Sequence, residues 1–428
     1  MQLIVPHRDG RRVLAVGVGL PSIVVIAEPA TLAALVEHLP AVGLHGPVVE
    51  CVIDFTPDHQ LVGERESVVQ LAPHGDDDAT GDRHWITWDR LEPSVTNALD
   101  AFTTEMIDEA RGLAVPHARR VDWARSGWFD EATDWIRRCL RDTGRAAPDT
   151  ITQFRHWGIS AIMRVDAPDG RTWFKASYPH FAHEGPVTEH LAATTSAGVP
   201  SVLAVEPRRG WMLVDDLEPT EITAPDDQAA AVDRLVSIQA GQQARADQLV
   251  ALGCPVRPLT ELAAALDRAL DSEVVAHLAV DGNRRRRLVE AVQRSAERVS
   301  AMRIPTTLVH GDFHPGNTAT TDAGPVIFDW TDACLSSPVV DLATWAWWYS
   351  NDPARQVEIW GWFTEAWARH LDVDVTGLDR RSVDVVAGAF HLVSYTGLLE
   401  AVEPRRRFEC ADGLDHFLGL VEQTADSA

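Results

Sequence analysis

One stretch constrains this chain more than any other. Residues 310–317 read His310-Gly311-Asp312-Phe313-His314-Pro315-Gly316-Asn317, and Asp329 follows within Val326-Ile327-Phe328-Asp329-Trp330. Leu308 and Val309 lead into the first segment, while Thr320 to Gly324 has the composition of a turn. A hairpin is predicted between the two segments. It would bring Asn317 and Asp329 together although they lie 12 residues apart. An amide oxygen and a carboxylate are hard ligands suited to Mg²⁺, which completes its shell with waters and substrate phosphates. Asp312, five residues before Asn317, is then free to orient a hydroxyl nucleophile. Base, metal amide and metal carboxylate in that order form a catalytic loop for phosphoryl transfer.

With Asp341-Leu342-Ala343 added, the pattern resembles the aminoglycoside phosphotransferase and choline kinase family of small-molecule kinases. That family's signature is His-Gly-Asp-x-His-x-x-Asn, an Ile-Asp-Trp-like segment and Asp-Leu-Ala; here the second element reads Phe328-Asp329-Trp330. The resemblance implies that Asp312 is the catalytic base, that Asn317 and Asp329 hold Mg²⁺, and that Asp341 anchors the loop by hydrogen bonds. It implies an α+β, bilobal protein-kinase-like fold, with a small antiparallel sheet lobe and a mainly helical lobe. ATP is the implied phosphoryl donor.

The rest of the chain sets bounds. Its 428 residues exceed one typical core and suggest two or three domains. No apolar run is expected to reach the roughly 20 residues of a membrane span. Cys51, Cys139, Cys254, Cys334 and Cys410 show neither metal-ligand spacing nor a disulfide framework, so a reducing cytoplasm is the simplest home. A formal charge of −25 disfavours nucleic acid or an anionic membrane as partner and is compatible with a cationic substrate. Arg284 to Arg287 reads as a solvated helical face. Nothing in the sequence addresses oligomeric state.

Residues 1–120 have a different texture from the rest and are expected to form an α/β accessory domain. Strands are predicted at 12–18, 22–27, 48–55, 64–71 and 84–88, and a helix at 29–39. The polar segment 73–82, with Asp76, Asp77 and Asp78, reads as a solvated loop. Residues 121–217 read as a linker helix over 122–142, a nucleotide-binding lobe and a hinge; residues 218–428 read as a helical lobe carrying the catalytic loop and the acceptor site.

In the nucleotide lobe, strands are predicted at 153–157, 161–165 and 171–176. Gly158-Ile159-Ser160 joins the first two at the place where kinases cover the phosphates, so backbone amides and the Ser160 hydroxyl would have to hold them. Lys175 lies inside an apolar strand, where an unpaired ammonium is costly. The kinase reading pairs it with phosphates and a helix glutamate. Glu184 is favoured over Glu189 because it shares a helical face with Val187 and Leu191. The resemblance agrees on that spacing, and implies that the backbone at Asp215 and Leu217 hydrogen-bonds adenine.

Beyond residue 222 the composition turns helical. Trp345, Trp347, Trp348, Trp360, Trp362 and Trp367 are expected mainly in helix packing, with one or two at the site. Ser394, Tyr395, Glu400 and Glu403 fall where the family presents acceptor-binding acids, although Arg405, Arg406 and Arg407 follow as alternative partners. The acceptor is a small molecule with a hydroxyl group. An aminoglycoside or amino sugar comes first, then a neutral sugar, a choline-like alcohol or another metabolite. A nucleotide-binding regulator without turnover is the reading from another class.

Overall fold

The computed structural model describes residues 2–5, 12–17, 39, 44, 49–54, 67–71 and 83–90, and 113–425 apart from 126, 157, 218–221 and 410–412. The chain divides into two compact units, residues 1–178 with 402–409, and residues 179–401 with 410–428. The division falls inside the segment 121–217.

In the first unit, β1 (Gln2–Ile4), β4 (Ser67–Leu71) and β3 (Val49–Asp54) form a sheet with β4 central, parallel to β1 and antiparallel to β3. β2 (Arg12–Val16) pairs antiparallel with β5 (Arg83–Thr87). The strand predicted at 22–27, most of the helix at 29–39 and the loop at 73–82 lie outside the described residues. Helix α1 (Trp128–Asp142) is shorter than the predicted 122–142. Gly127 takes φ 85°, which breaks the helix before Trp128 and leaves only a 3-10 turn at Asp122–Ala124.

An antiparallel meander follows: β6 (Thr150–His156), β7 (Ser160–Ala167) and β8 (Gly170–Ser177). The register pairs Ala167 with Gly170, so Pro168-Asp169 forms a two-residue turn. Period-two alternation buries Met163 and Val165 on β7 and Phe174 and Ala176 on β8. Phe174 packs against Trp128 and Trp135 of α1, with ring centroids 6.1 and 5.8 Å away. Aromatic pairs at this spacing fix the helix against the apolar face of the meander.

The second unit opens with α2 (Glu184–Thr194) and the hairpin of β9 (Val202–Glu206) and β10 (Trp211–Asp215). Helices α3 (Pro225–Gln242), α4 (Ala246–Ala251), α5 (Leu259–Ala269) and α6 (Gly282–Ala301) follow. The chain then runs through β11 (Thr307–Val309), β12 (Thr318–Thr321), β13 (Gly324–Ile327) and β14 (Cys334–Ser336). Helices α7 (Val339–Trp348), α8 (Pro353–Leu371), α9 (Arg380–Ala401) and α10 (Gly413–Ala425) complete it. The core collects around β11 to α8: Phe313, Trp330, Trp345, Phe363 and Trp367 are fully buried.

Helix α9 corrects one expectation. Its 22 residues are long and apolar enough to pass as a membrane span, but 78% of that window is buried inside the protein, as in a core helix. The arginine run on α6 is also less solvated than expected. Arg284 bonds Glu422, and Arg285 bonds both Asp267 and Asp271, while Arg286 and Arg287 are exposed.

Candidate active site

β11 is a short, fully buried strand whose residues pair with β14 in the register Val309–Cys334. It delivers the chain into His310-Gly311, where the backbone turns sharply. Gly311 has φ 85°, and a Cβ there would stand 2.4 Å from the Asp332 carbonyl oxygen, so only glycine fits. The turn leaves the backbone N–H groups of His310 and Gly311 pointing into the protein. Asp341, in the first turn of α7, accepts both, at 3.1 and 2.9 Å. It also accepts from Gln239 Nε2 at 2.8 Å. Asp341 is fully buried, and burial pushes its carboxyl up to about 7 against the pull of these donors. His310 locks the other side: Nε2 lies 2.9 Å from the Phe328 carbonyl oxygen, and Nδ1 accepts from Asp312 N at 3.3 Å.

Asp312 therefore leaves a loop braced by a helix start and by the following hairpin. Its side chain is 47% exposed. Asn317 Nδ2 donates to the Asp312 backbone oxygen at 2.9 Å and to its Oδ2 at 3.1 Å. His314 Nε2 lies 3.5 Å from the same Oδ2. Partial burial pushes the Asp312 carboxyl up, but the contact with His314 and the other nearby histidines outweigh it and hold the group below the usual carboxylate range. Asp312 is thus ionised at neutral pH.

The hairpin forms as the sequence predicts. β12 pairs with β13 from Thr318–Ile327 to Thr321–Gly324, with Asp322-Ala323 at the tip. One step beyond the ladder, Phe328 N donates to Asn317 O at 3.0 Å. Asn317 thereby faces the residue preceding Asp329. Asp329 takes φ 63°, an uncommon left-handed conformation that redirects the chain, and its Oδ1 accepts from the Thr331 hydroxyl.

Sequence reasoning did not resolve the tryptophans. Trp345 and Trp367 are fully buried and Trp347, Trp360 and Trp362 half-buried, whereas Trp348 is 55% exposed. Trp348 stacks on His314 with centroids 4.3 Å apart and planes at 4°. Further along, Thr344 Oγ1 lies 3.0 Å from His391 Nε2, and His391 stacks on Phe417. Gln239 was missed as a partner of Asp341; its only sequence signal is a glutamine within the apolar stripe of Val232, Leu235 and Val236.

The remaining expected residues fall in both units. Within the first, Gly158 and Ile159 lie in the bend before β7, and Tyr178 N donates to Ile159 O at 2.9 Å. Ser160 begins β7 opposite Ser177, and Lys175 is half-buried on β8 opposite Ile162. Within the second, Glu184 is buried at the start of α2 beside Val187 and Leu191, whereas Glu189 is exposed. Asp215 ends β10, with its N–H donated to Ser201 O at 3.0 Å, and Leu217 follows, half-buried. Two acids expected near the acceptor are engaged elsewhere. Glu403 accepts from Arg120 Nε and Nη2 at 2.8 and 3.0 Å, and Glu400 bonds the Ser272 hydroxyl.

Choline kinase LicA from Streptococcus pneumoniae has a similar structure: TM-score 0.50, 10% identity, covering 70% of this chain and all of that one. The GDP and kanamycin complex of APH(2″)-IIIa gives TM-score 0.48, 16% identity, 69% of this chain and 99% of that chain. A thermostable mutant of aminoglycoside phosphotransferase APH(4)-Ia with ADP and hygromycin B gives 0.43, 12%, 70% and 99%. A search of curated proteins finds no match. The likeness at 0.50 establishes a kinase-like α+β fold. The family model described as the phosphotransferase enzyme family matches residues 153–371, half of the chain, so the protein belongs to that family and is a small-molecule phosphotransferase.

Proposed function

We propose that the protein transfers the γ-phosphoryl group of ATP, with Mg²⁺, to a hydroxyl of a small molecule. One observation carries this reading. An ionised, half-exposed Asp312 is held by the Asn317 amide nitrogen, leaving Asn317 Oδ1 with no protein donor among the described residues. That orientation suits a metal-binding amide beside a base. The donor set also fits Mg²⁺ in particular. Asn317 Oδ1 and the Asp329 carboxylate are hard oxygen donors that would hold the ion, with nucleotide phosphates completing its shell. Mg²⁺ bound there would neutralise charge on the β- and γ-phosphates.

The chain's own residues do the rest. Asp312 accepts a hydrogen bond from the acceptor hydroxyl and aligns it for attack. Asp341 and His310 keep the loop rigid, so that positioning is set before the acceptor binds. Gly158, Ser160 and Lys175 would serve the phosphates, and the backbone at Asp215 and Leu217 would serve the adenine. The test is an ATP-consumption screen of purified protein against sugars, amines, aminoglycosides, hydroxy acids and sugar phosphates. Acceptor-dependent ADP release supports the reading. Tight Mg-ATP binding without turnover on any acceptor would favour a nucleotide-binding regulator.

A further inference from the structure

The second unit holds a pre-set cation. Arg257 sits in Cys254-Pro255-Val256-Arg257-Pro258, and two prolines limit the backbone freedom of the segment. The segment is also pinned to β14. Arg257 N donates to Leu335 O at 2.8 Å, Leu335 N donates to Pro255 O at 2.8 Å, and Ser336 Oγ donates to Arg257 O at 2.7 Å. β14 in turn pairs with β11, which leads into His310 to Asp312. The arginine backbone therefore stands two strand spacings, about 10 Å, from the strand that delivers the catalytic base.

The side chain is placed but not neutralised. Its Nη1 donates to Ser394 Oγ, and its guanidinium lies 5.4 Å from the Phe390 ring, both on α9. An arginine carries five N–H donors. Among the described residues no carboxylate lies within ion-pair distance of this one, in a chain with 63 acidic residues. Arg284, Arg285 and Arg355, likewise half-buried, have a carboxylate partner, whereas Arg234 and Arg245 have none among the described residues. His391, the neighbour of Phe390, feels both Arg257 and Asp312. Burial first, and the Arg257 charge with it, holds His180 and His183 below the usual histidine range; burial holds His391 there too, with His183 and His391 at about 4. The three imidazoles are neutral at pH 7, so the cation here is the guanidinium.

We infer that Arg257 is an acceptor-specificity residue and that the acceptor carries an anionic oxyacid group, a carboxylate or a phosphate, besides the hydroxyl that Asp312 orients. This deepens the phosphotransferase reading and rests on it. A planar guanidinium held by Ser394 and Phe390 has its fork directed in advance, and recognises such groups through paired charge-assisted hydrogen bonds. The inference reverses the expectation of a cationic acceptor drawn from net charge: the total of −25 is a property of the whole surface, whereas the charge that selects a ligand is local.

The experiment uses the full chain with Mg-ATP and acceptors matched in skeleton: glycerol 3-phosphate against glycerol, gluconate against glucose, with glucosamine and kanamycin as the cationic arm. At least one anionic acceptor is expected to exceed its neutral partner by ~10-fold or more in kcat/KM, and the pair that responds tells phosphate from carboxylate. Arg257→Ala is expected to raise KM for that acceptor by ~10²-fold while changing kcat less, with Arg257→Lys intermediate and millimolar guanidine restoring part of the loss. Preference for a neutral or cationic acceptor overturns the inference and leaves the phosphotransferase reading standing. So does an Arg257→Ala loss that is equal for charged and neutral acceptors. A second arm needs no turnover: calorimetric titration of the Mg-ADP complex with glycerol 3-phosphate and with gluconate. Absence of saturable binding by both overturns the inference. Binding that Arg257→Ala abolishes, without transfer to any acceptor, upholds the anion site and counts against the phosphotransferase reading instead.

Discussion

Asp312 and Asp341 are two carboxylates 29 residues apart in sequence whose surroundings drive them in opposite directions. Asp312 is half-exposed and held below the usual carboxylate range; Asp341 is buried and raised to about 7. The first is suited to meeting a substrate, the second to holding a loop. Asp312→Asn keeps shape and one acceptor oxygen but loses the charge. It is expected to retain Mg-ATP binding within a few-fold and to lose at least roughly 10²-fold in single-turnover transfer. Asp341→Asn turns an NH₂ group toward the backbone donors of His310 or Gly311. The expected cost is about 1–3 kcal/mol, measured by denaturant unfolding.

The same residue predicts a pH dependence. Folding raises the Asp341 pKa from an unfolded value of about 3.9 to about 7. The folded state then binds the extra proton between those limits, so this group's contribution to stability is greatest below the lower one, falls as pH rises through the window, and levels off above the upper one. Asp341→Asn removes that slope. Unfolding midpoints at pH 5 and pH 7.5 should differ less in the variant than in the wild type.

At the level of elements, the site depends on what precedes and follows the motif. Gly311→Ala combines a positive φ with a Cβ 2.4 Å from a backbone oxygen, which no side-chain rotation relieves. The αL conformation alone costs about 1–2 kcal/mol, and the clash adds to it, so a thermal melt should show a clear loss together with loss of turnover. On α2, Glu184→Ala removes a buried group and Glu189→Ala an exposed one. The first is expected to weaken nucleotide-dependent turnover, the second to leave it near wild type, as measured by steady-state kinetics in ATP. The meander, the catalytic hairpin and the buried face of α2 were legible because period-two alternation, turn residues and 3.6-residue spacing are local signals. The tryptophans of α7 were not. Trp345, Trp347 and Trp348 sit on a helix apolar on several sides, so periodicity does not say which of them faces outward.

At the level of the whole molecule, net charge and local geometry point in different directions. The total of −25 is compatible with a cationic acceptor, whereas the acceptor inferred above rests on the single guanidinium of Arg257. Glu403 was read against its arginine neighbours in sequence. Its partner is Arg120, 283 residues away, and both side chains are about 1–2% exposed. No local pattern encodes a pairing at that separation. Removing either partner alone, as in Arg120→Ala or Glu403→Ala, leaves a buried charge uncompensated. The expected destabilisation is about 3–5 kcal/mol, while Arg120→Met with Glu403→Leu should recover much of it. Denaturant unfolding of the three variants checks this.

That pair also sets a clock. Arg120 belongs to a unit completed by residues 402–409, which leave the ribosome after residues 179–401 of the other unit. At about 5–20 residues per second, the 283 residues after Arg120, up to and including Glu403, take about 15–60 s to synthesise. Throughout that interval Glu403 is absent, and the first unit lacks residues 402–409. A nascent polypeptide stalled before codon 403 should therefore be open to protease around Arg120, and released full-length protein should not.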